Sequence, residues 1–562
     1  ITNVTVAPDG FPRQAIQAGT FPGNLITASK GDVLHINVTM LQENPTMRRS
    51  TSIHWHGLFQ MRTGSEDGPS FVNQCQHHPS SVPYNIPLNN QTGTFWFHSH
   101  LSTQYVDGER GTLVIYPDDP LGDLYDVDDE STIITLADWY HSPAAGLMDQ
   151  YKLDGVTPVP ATGLINGVGR YVGGPEVPWA VISVVQGKRY RFRVINISGY
   201  GAYVFSIDQH IFDVIETDGI ETVPLPVTSF EIYVAQRYSI ILNATAPIDN
   251  YWIRAPIDVQ GNNPDRARLS ADVKAILRYV GAPDADPVST ALVPPRGLTP
   301  PQTLIDPGAP GGDAPADHRL NLTFASPGDG VWAINGEVYT PPTLPTLLKI
   351  INGATVASDF NTSEHTFILK QGEVVELEIH GSDLGITHPF HLHGHAFDIV
   401  KSASGPFNYV NPPRRDVIAV EQGGVIIRFR ADNPGPWFLH CHIDWHLEAG
   451  LAVVFAEAPA AQRTGPQSEI ITPQWLNLCP AYYAQPGGQY HFVLLCVAAY
   501  APSHTQPSSD FCIRRAKGLR IALPMYRALF ALSGYDRVIY YICEIELDVH
   551  ISELLDVRKP VI

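Results

Sequence analysis

Short apolar runs with strand-like character recur along the chain, at Val33–Val38, Gly111–Ile115, Ser131–Leu136, Arg189–Val194, Tyr238–Asn243, Val374–Ile379 and Val425–Arg430. Clusters of Gly, Pro, Asn and Asp separate them, the spacing of sandwiches or barrels rather than of strands joined by crossover helices. Gly (46) and Pro (48) are abundant without a period, which favours tight turns over long helices. The pattern predicts an all-β fold, with the Pro/Gly-rich stretch Pro295–Pro315 as a long connection. The longest apolar run, Phe492–Ala501, falls far short of the ~20 residues a membrane-spanning helix needs.

The pattern also repeats. Gly93-Thr-Phe-Trp-Phe-His-Ser-His100 resembles Gly435-Pro-Trp-Phe-Leu-His-Cys-His442, and Ile53-His-Trp-His-Gly57 echoes Phe390-His-Leu-His-Gly394. The first and last β-domains therefore read as duplicates, with a spacer domain between them. At 562 residues the chain exceeds one core. The expected domains are residues 1–121, 122–284 and 285–479, followed by an atypical tail at 480–562. That tail carries Cys496, Cys512 and Cys543, lacks Asn, and is nearly neutral, with 8 Lys+Arg against 7 Asp+Glu.

Four His-x-His pairs occupy the repeated positions: His54/His56, His98/His100, His391/His393 and His440/His442. Residues i and i+2 of a strand share a face, so each pair can aim two imidazoles at one point. Eight such imidazoles can hold several transition-metal ions. Between His440 and His442, the Cys441 side chain must point to the opposite face, so one strand can serve two metal sites and join them covalently. His446 lies five residues past Cys441, and His388 precedes the third pair. One Cys and two His form the trigonal set of an electron-transfer copper site. The axial candidate is Leu451, which cannot ligate, and an apolar axial residue favours the reduced metal. A structural zinc site needs four ligands and does not explain eleven. The isolated His141 and His210 read as structural, and His77 and His78 as solvated loop residues.

The motifs HWHGLFQ, HSHLSTQYVDG, HPFHLHGH and HCHIDWHLEAG resemble those of the multicopper oxidases, and within them the fungal laccases. The resemblance covers residues 1 to about 480. It implies three consecutive cupredoxin-like Greek-key β-sandwich or barrel domains and four copper ions. Carried over residue by residue, a type 1 copper would take His388, Cys441 and His446, with Leu451 axial and unbound. A type 2 copper would take His54 and His391, and a type 3 pair would take His56, His98, His100, His393, His440 and His442. Electrons would enter at an exposed His446 edge and leave through Cys441. Asp67 matches a family acid that assists proton delivery, although an Asp before Gly-Pro also suits a turn. The implied activity is one-electron oxidation of phenols and aromatic amines coupled to reduction of O2 to two waters, as in lignin or phenolic degradation. The alternatives are a ferroxidase or ascorbate-oxidase type of multicopper oxidase, and a copper-binding protein without turnover.

The same comparison exposes departures. Cys75 and Cys479 match one family disulfide, while the partners of a second fall at Val106 and Gly199. Tyr200 stands where the family carries an acid that binds the phenol and accepts its proton. Tyr200 and His446 are therefore the substrate-facing candidates, with Glu216 or another nearby acid as a substitute proton acceptor. The loops Ser142–Ala161 and Pro256–Ala271 are expected to shape the pocket.

Charge and processing signals narrow the setting. A formal charge of −20 argues against nucleic acid and against an anionic membrane surface. The start at Ile1 and the sequons at Asn3, Asn37, Asn90, Asn196, Asn243, Asn321 and Asn361 fit a secreted, glycosylated protein. The expected partners are small aromatic reductants and O2, met by a monomer.

Overall fold

The computed structural model describes residues 1–484, apart from 78–80, 118–120, 260–268, 270–271, 293–301, 306, 329 and 382–384. The expectations for the tail from residue 485 onward, with its three cysteines, lie outside the described residues, as does His78. All seven apolar runs form strands, with ends within three residues of the predicted ones, among them Val33–Thr39, Arg110–Tyr116, Arg189–Asn196 and Val425–Arg430. Ser131–Leu136 shifts most, to Ile133–Trp139, because Asp129 caps a short 3-10 turn over Glu130–Thr132.

The architecture is all-β, in three successive parts. In the first, Leu25–Ser29, Arg110–Tyr116, Gly93–Ser99 and Ile53–His56 form one sheet in that order, and Val33–Thr39 pairs with Ser81–Pro87. In the middle, one sheet runs from Thr162–Ile165 to Ile220–Val227, and a second contains Lys274–Tyr279 and Ala202–Ile207. Ala202–Ile207 buries alternate residues, the period-2 signature of a strand with one face on the core. Phe192 of the first sheet and Phe205 of the second belong to one apolar cluster. In the third, Thr366–Leu369, Ala452–Glu457, Gly435–Cys441, His388–Leu392 and Val417–Val420 form a five-stranded sheet beside a six-stranded one.

The duplication is visible in strand register. Ile53–His56 pairs with Gly93–Ser99 so that His54 lies opposite His98. His388–Leu392 pairs with Gly435–Cys441 so that His391 lies opposite His440. Gly93–Ser99 and Gly435–Cys441 are buried at every position, which is why their sequences are continuous apolar runs rather than alternating ones.

The end of the third part is stapled to the first. Cys75 and Cys479 form a disulfide with Cα atoms 5.0 Å apart. Trp475 and Leu478 pack in the same cluster as Trp55, Tyr84 and Leu347. The longest described helix, Ala144–Asp154, lies within the expected loop Ser142–Ala161. Among the described residues, no helix is long and apolar enough to cross a membrane.

Candidate metal centre

The eight paired histidines converge on one buried cluster. His56, His98 and His442 bring potential ligand atoms within 4.8 Å of one another, as do His100, His393 and His440, and His54, His56 and His391. The first and third parts each contribute two pairs, so the cluster sits between the duplicated domains.

The outer nitrogen of most of these rings is anchored by protein. Nδ1 of His54 donates to the Asp67 carbonyl at 2.8 Å, that of His391 to the Asp416 carbonyl at 2.9 Å, and that of His98 to the Ser99 carbonyl at 2.8 Å. His440 Nδ1 donates to the Cys441 carbonyl at 3.0 Å, and His393 Nδ1 to Asp67 Oδ2 at 2.9 Å. A carbonyl can only accept, so these bonds fix the tautomer and leave a lone pair on Nε2. His56 is turned the other way, with Nε2 3.4 Å from Asp416 Oδ1. The inward nitrogens, Nε2 of His54, His98, His391 and His442 and Nδ1 of His56, are buried with no hydrogen-bond partner. His440 Nε2 lies 3.1 Å from His393 Nε2 and 3.4 Å from His100 Nε2. Buried polar nitrogens without partners are costly, and metal ligation satisfies them, so this donor set fits metal ions. Burial also lowers the pKa of His56, His98, His100, His391, His393 and His442, and takes His440 down to about 3. Neutral imidazole is the ligating form.

On the far side of the same strand, Cys441 Sγ lies 3.5 Å from His388 Nδ1 and 3.8 Å from His446 Nδ1. The two imidazole nitrogens are 3.3 Å apart, closing a triangle. Leu451 is fully buried, and its backbone brackets the site: Cys441 N–H donates to its carbonyl and its N–H donates to the His446 carbonyl. Burial raises the Cys441 thiol and lowers His388 to about 3. A metal ion would displace the thiol proton and bind the thiolate.

Several expectations require correction. His446 does not present an exposed edge; it is fully buried, with the Trp332 ring 4.8 Å and the Tyr200 ring 6.4 Å away. Asn196 cannot carry a glycan in the folded chain, because its buried amide donates to the Gly201 and Ile232 carbonyls. Asn37, Asn90, Asn243, Asn321 and Asn361 are exposed, and Asn3 is half-buried. His77 is buried rather than solvated, its backbone bridging to Thr51. His141 pairs with Asp9 and stacks on Phe11, and His210 bonds the Asp208 carbonyl and Tyr279, both structural as expected.

Val106 and Gly199 do face one another: a Cβ on Gly199 would lie 2.6 Å from Val106 Cγ2. The backbone amides of Gly199, Tyr200 and Gly201 all donate to the Asp138 carboxylate, which holds Tyr200 beside His446. Tyr200, Asp258, Thr387 and Ile443 line a cleft of about 10 Å³ there. Glu216 is not available as a substitute acid, since its carboxylate is buried against Arg191 and the Thr94 amide. Asp258 is exposed and lines the cleft. A larger cleft, about 820 Å³, opens around Tyr409, Arg414 and Arg430, and none of the cluster residues lines it.

Asp416 and Asp138 carry no spacing signal, because only tertiary contacts bring them to the site, whereas Tyr105 lies inside the motif HSHLSTQYVDG. Tyr105 Oη lies 3.4 Å from His442 Nδ1. Asp444 lies three residues past Cys441, inside the motif HCHIDWHLEAG; it is buried, and burial raises its pKa strongly.

Comparison with known proteins agrees with this geometry. Multicopper oxidase family profiles match residues 1–120, 130–282 and 339–461, and the chain belongs to that family. Laccase-2 of Agaricus bisporus is 50% identical over 492 residues, covering 86% of this chain and 94% of that one. The solved laccase from Botrytis aclada is 33% identical with a TM-score of 0.75, over 86% and 90% of the two chains. Fet3p, a multicopper oxidase that functions in iron import, is 30% identical with a TM-score of 0.76, over 86% and 94%. Within the family, the enzyme is of the laccase kind, built from three cupredoxin-like domains.

Proposed function

We propose that the enzyme oxidises phenols and aromatic amines one electron at a time and reduces O2 to two waters, using four copper ions. The type 1 site is His388, Cys441 and His446, the type 2 site His54 and His391, and the type 3 pair His56, His98, His100, His393, His440 and His442. The observation that carries this reading is the position of Cys441, which faces two histidines on one side of a strand while its neighbours His440 and His442 enter the cluster on the other. When bound, copper supplies the one-electron exchange at Cys441 and holds the electrons needed for O2 reduction at the cluster.

The chain's own residues do the rest. Four phenols each give up one electron and one proton, which matches the four electrons and four protons that turn one O2 into two waters. Cys441 offers a covalent path from the donor side to both His440 and His442. Asp67, buried against His54 and His393 and raised in pKa by that burial, holds a proton at the oxygen side. At the donor side, Tyr200 gives an aromatic wall, and Asp258 is placed to accept the phenolic proton.

The domains run over residues 1–121, 122–284 and 285–479, the middle one spacing the other two. Secretion as a monomeric glycoprotein, with glycans at exposed sequons, completes the reading. Iron is the alternative donor suggested by the likeness to Fet3p; among the described residues that line the cleft, Asp258 is the one acid. Metal analysis and O2 uptake with a phenol, a non-phenolic dye and Fe2+ test the proposal. Uptake driven by phenol and dye at four coppers per chain supports it; uptake driven by Fe2+ alone, or none, overturns it.

A further inference from the structure

The middle domain supplies no candidate ligand, yet one of its arginines reaches the cluster. Arg237 is fully buried. Its Nη1 and Nη2 donate to the two oxygens of Asp416, each at 2.7 Å, the forked geometry that only Arg provides. Its Nε donates to the Thr94 carbonyl in the first domain at 3.0 Å. A single guanidinium thus joins all three domains.

Asp416 spends what it receives on two histidines. Its carbonyl accepts a hydrogen bond from His391 Nδ1 at 2.9 Å, and its Oδ1 lies 3.4 Å from His56 Nε2. The inward atoms of those rings, His391 Nε2 and His56 Nδ1, are among the unpartnered nitrogens facing the cluster. The chain makes room for the clamp at Gly57, the residue after His56. Its φ is +89°, and a Cβ there would lie 2.6 Å from Arg237 Nη2 and 2.8 Å from Asp416 Oδ2. Asp218 and Arg415 enclose the pair: Asp218 accepts from the Arg237 amide at 2.8 Å and from Arg415 Nε at 2.8 Å.

We infer that Arg237 is a positioning residue for the type 2 copper, setting its ligand His391 through Asp416, which also faces the type 3 ligand His56. The inference rests on the copper assignment proposed above. Partners behind metal-bound histidines commonly change metal affinity by roughly 10–100-fold, because they fix ring orientation. A buried arginine serving only as structural glue would change stability and leave copper retention untouched.

The test uses Arg237→Lys and Arg237→Met on the full chain, with Arg254→Met as a control. Arg254 pairs with Asp208 in the same domain, far in sequence from any candidate ligand. Copper per chain, the type 2 paramagnetic signal, the blue absorption and the melting temperature are read after dialysis against a chelator. The expected result is a type 2 copper held roughly 10–100-fold more weakly in both Arg237 variants. The blue absorption persists, and Arg254→Met retains copper like the parent. Arg237→Lys keeps the charge and loses the fork, so it decides the matter if Arg237→Met does not fold. Parental copper retention in a folded Arg237→Lys overturns the inference, and so does equal copper loss in Arg254→Met. A parent chain without a type 2 signal overturns the copper assignment itself.

Discussion

Asp67 of the first domain holds His393 of the third: its Oδ2 accepts from Nδ1 at 2.9 Å, across 326 residues of sequence, with both side chains fully buried. The same residue accepts from His54 Nδ1 through its carbonyl at 2.8 Å. One aspartate therefore orients a ring from each duplicated domain while keeping a carboxyl beside the cluster.

Asp67→Asn separates those two duties. The amide oxygen can still accept from His393, but the side chain can no longer carry a proton. Copper content should stay at the parental level while steady-state O2 uptake falls by about 100-fold or more, the usual range for a lost proton-transfer group. Metal analysis beside an oxygen electrode checks both halves. Unchanged uptake would reduce Asp67 to an orienting and turn-forming residue.

In the proposed type 1 site the axial position falls to Leu451, whose side chain has no lone pair to offer. Leu451→Met keeps the volume, so it should cost less than about 1.5 kcal/mol of stability. Its thioether can approach the Cys441, His388 and His446 triangle, and a weak axial ligand stabilises the oxidised metal. The type 1 potential should drop, as read by redox titration of the blue band. A potential identical to the parent's would mean that Leu451 does not face the metal.

The histidine spacing was legible because strands impose it: an i, i+2 pair shares a face wherever the strand goes, and the repeated motif exposed the duplication before any contact was known. The structure then gathers the eight paired histidines into one cluster and sets His388 and His446 beside Cys441. Asp416 and Arg237 were invisible for the opposite reason. Each is a single charged residue, and their pairing spans 179 residues and a domain boundary. Asn196 shows the limit of a local motif, since a sequon says nothing about whether its amide is already bonded in the core. His446 failed similarly, because its cover is Trp332, 114 positions away and unmarked by any pattern.

The donor end can be resolved by two reciprocal variants. Asp258→Asn removes the acid lining the cleft beside Tyr200. It should lower kcat/KM for a phenol by about 10-fold, the worth of one charge-assisted hydrogen bond, and leave a non-phenolic dye unaffected. Tyr200→Asp supplies an acid at the position beside His446 and should raise phenol turnover at acidic pH relative to the dye. Parallel changes for both substrates in either variant would show that proton acceptance is not what these positions control.

Glu109 gives the chain a pH dependence of stability separate from its chemistry. It is fully buried behind the His98/His100 hairpin, its backbone carbonyl accepting from Ser99 N–H at 2.9 Å. Burial raises its pKa from 4.5 to about 8, opposed weakly by the Thr51 hydroxyl, which donates to Oε1 at 2.5 Å, and by the chain's amino terminus. Oε2 has no partner among the described residues. The folded chain keeps this proton where the unfolded chain gives it up. Unlike a salt-bridged carboxylate, Glu109 therefore costs stability progressively as pH rises from about 4.5 to about 8, and adds no further cost above that. Glu109→Gln preserves the shape and the Thr51 bond without the ionisable proton. It should match the parent near pH 4.5 and exceed it by about 3 kcal/mol at pH 7. Melting curves of both proteins across that window measure the difference directly. A gap that stays constant with pH would mean that Glu109 titrates alike in the folded and unfolded chains.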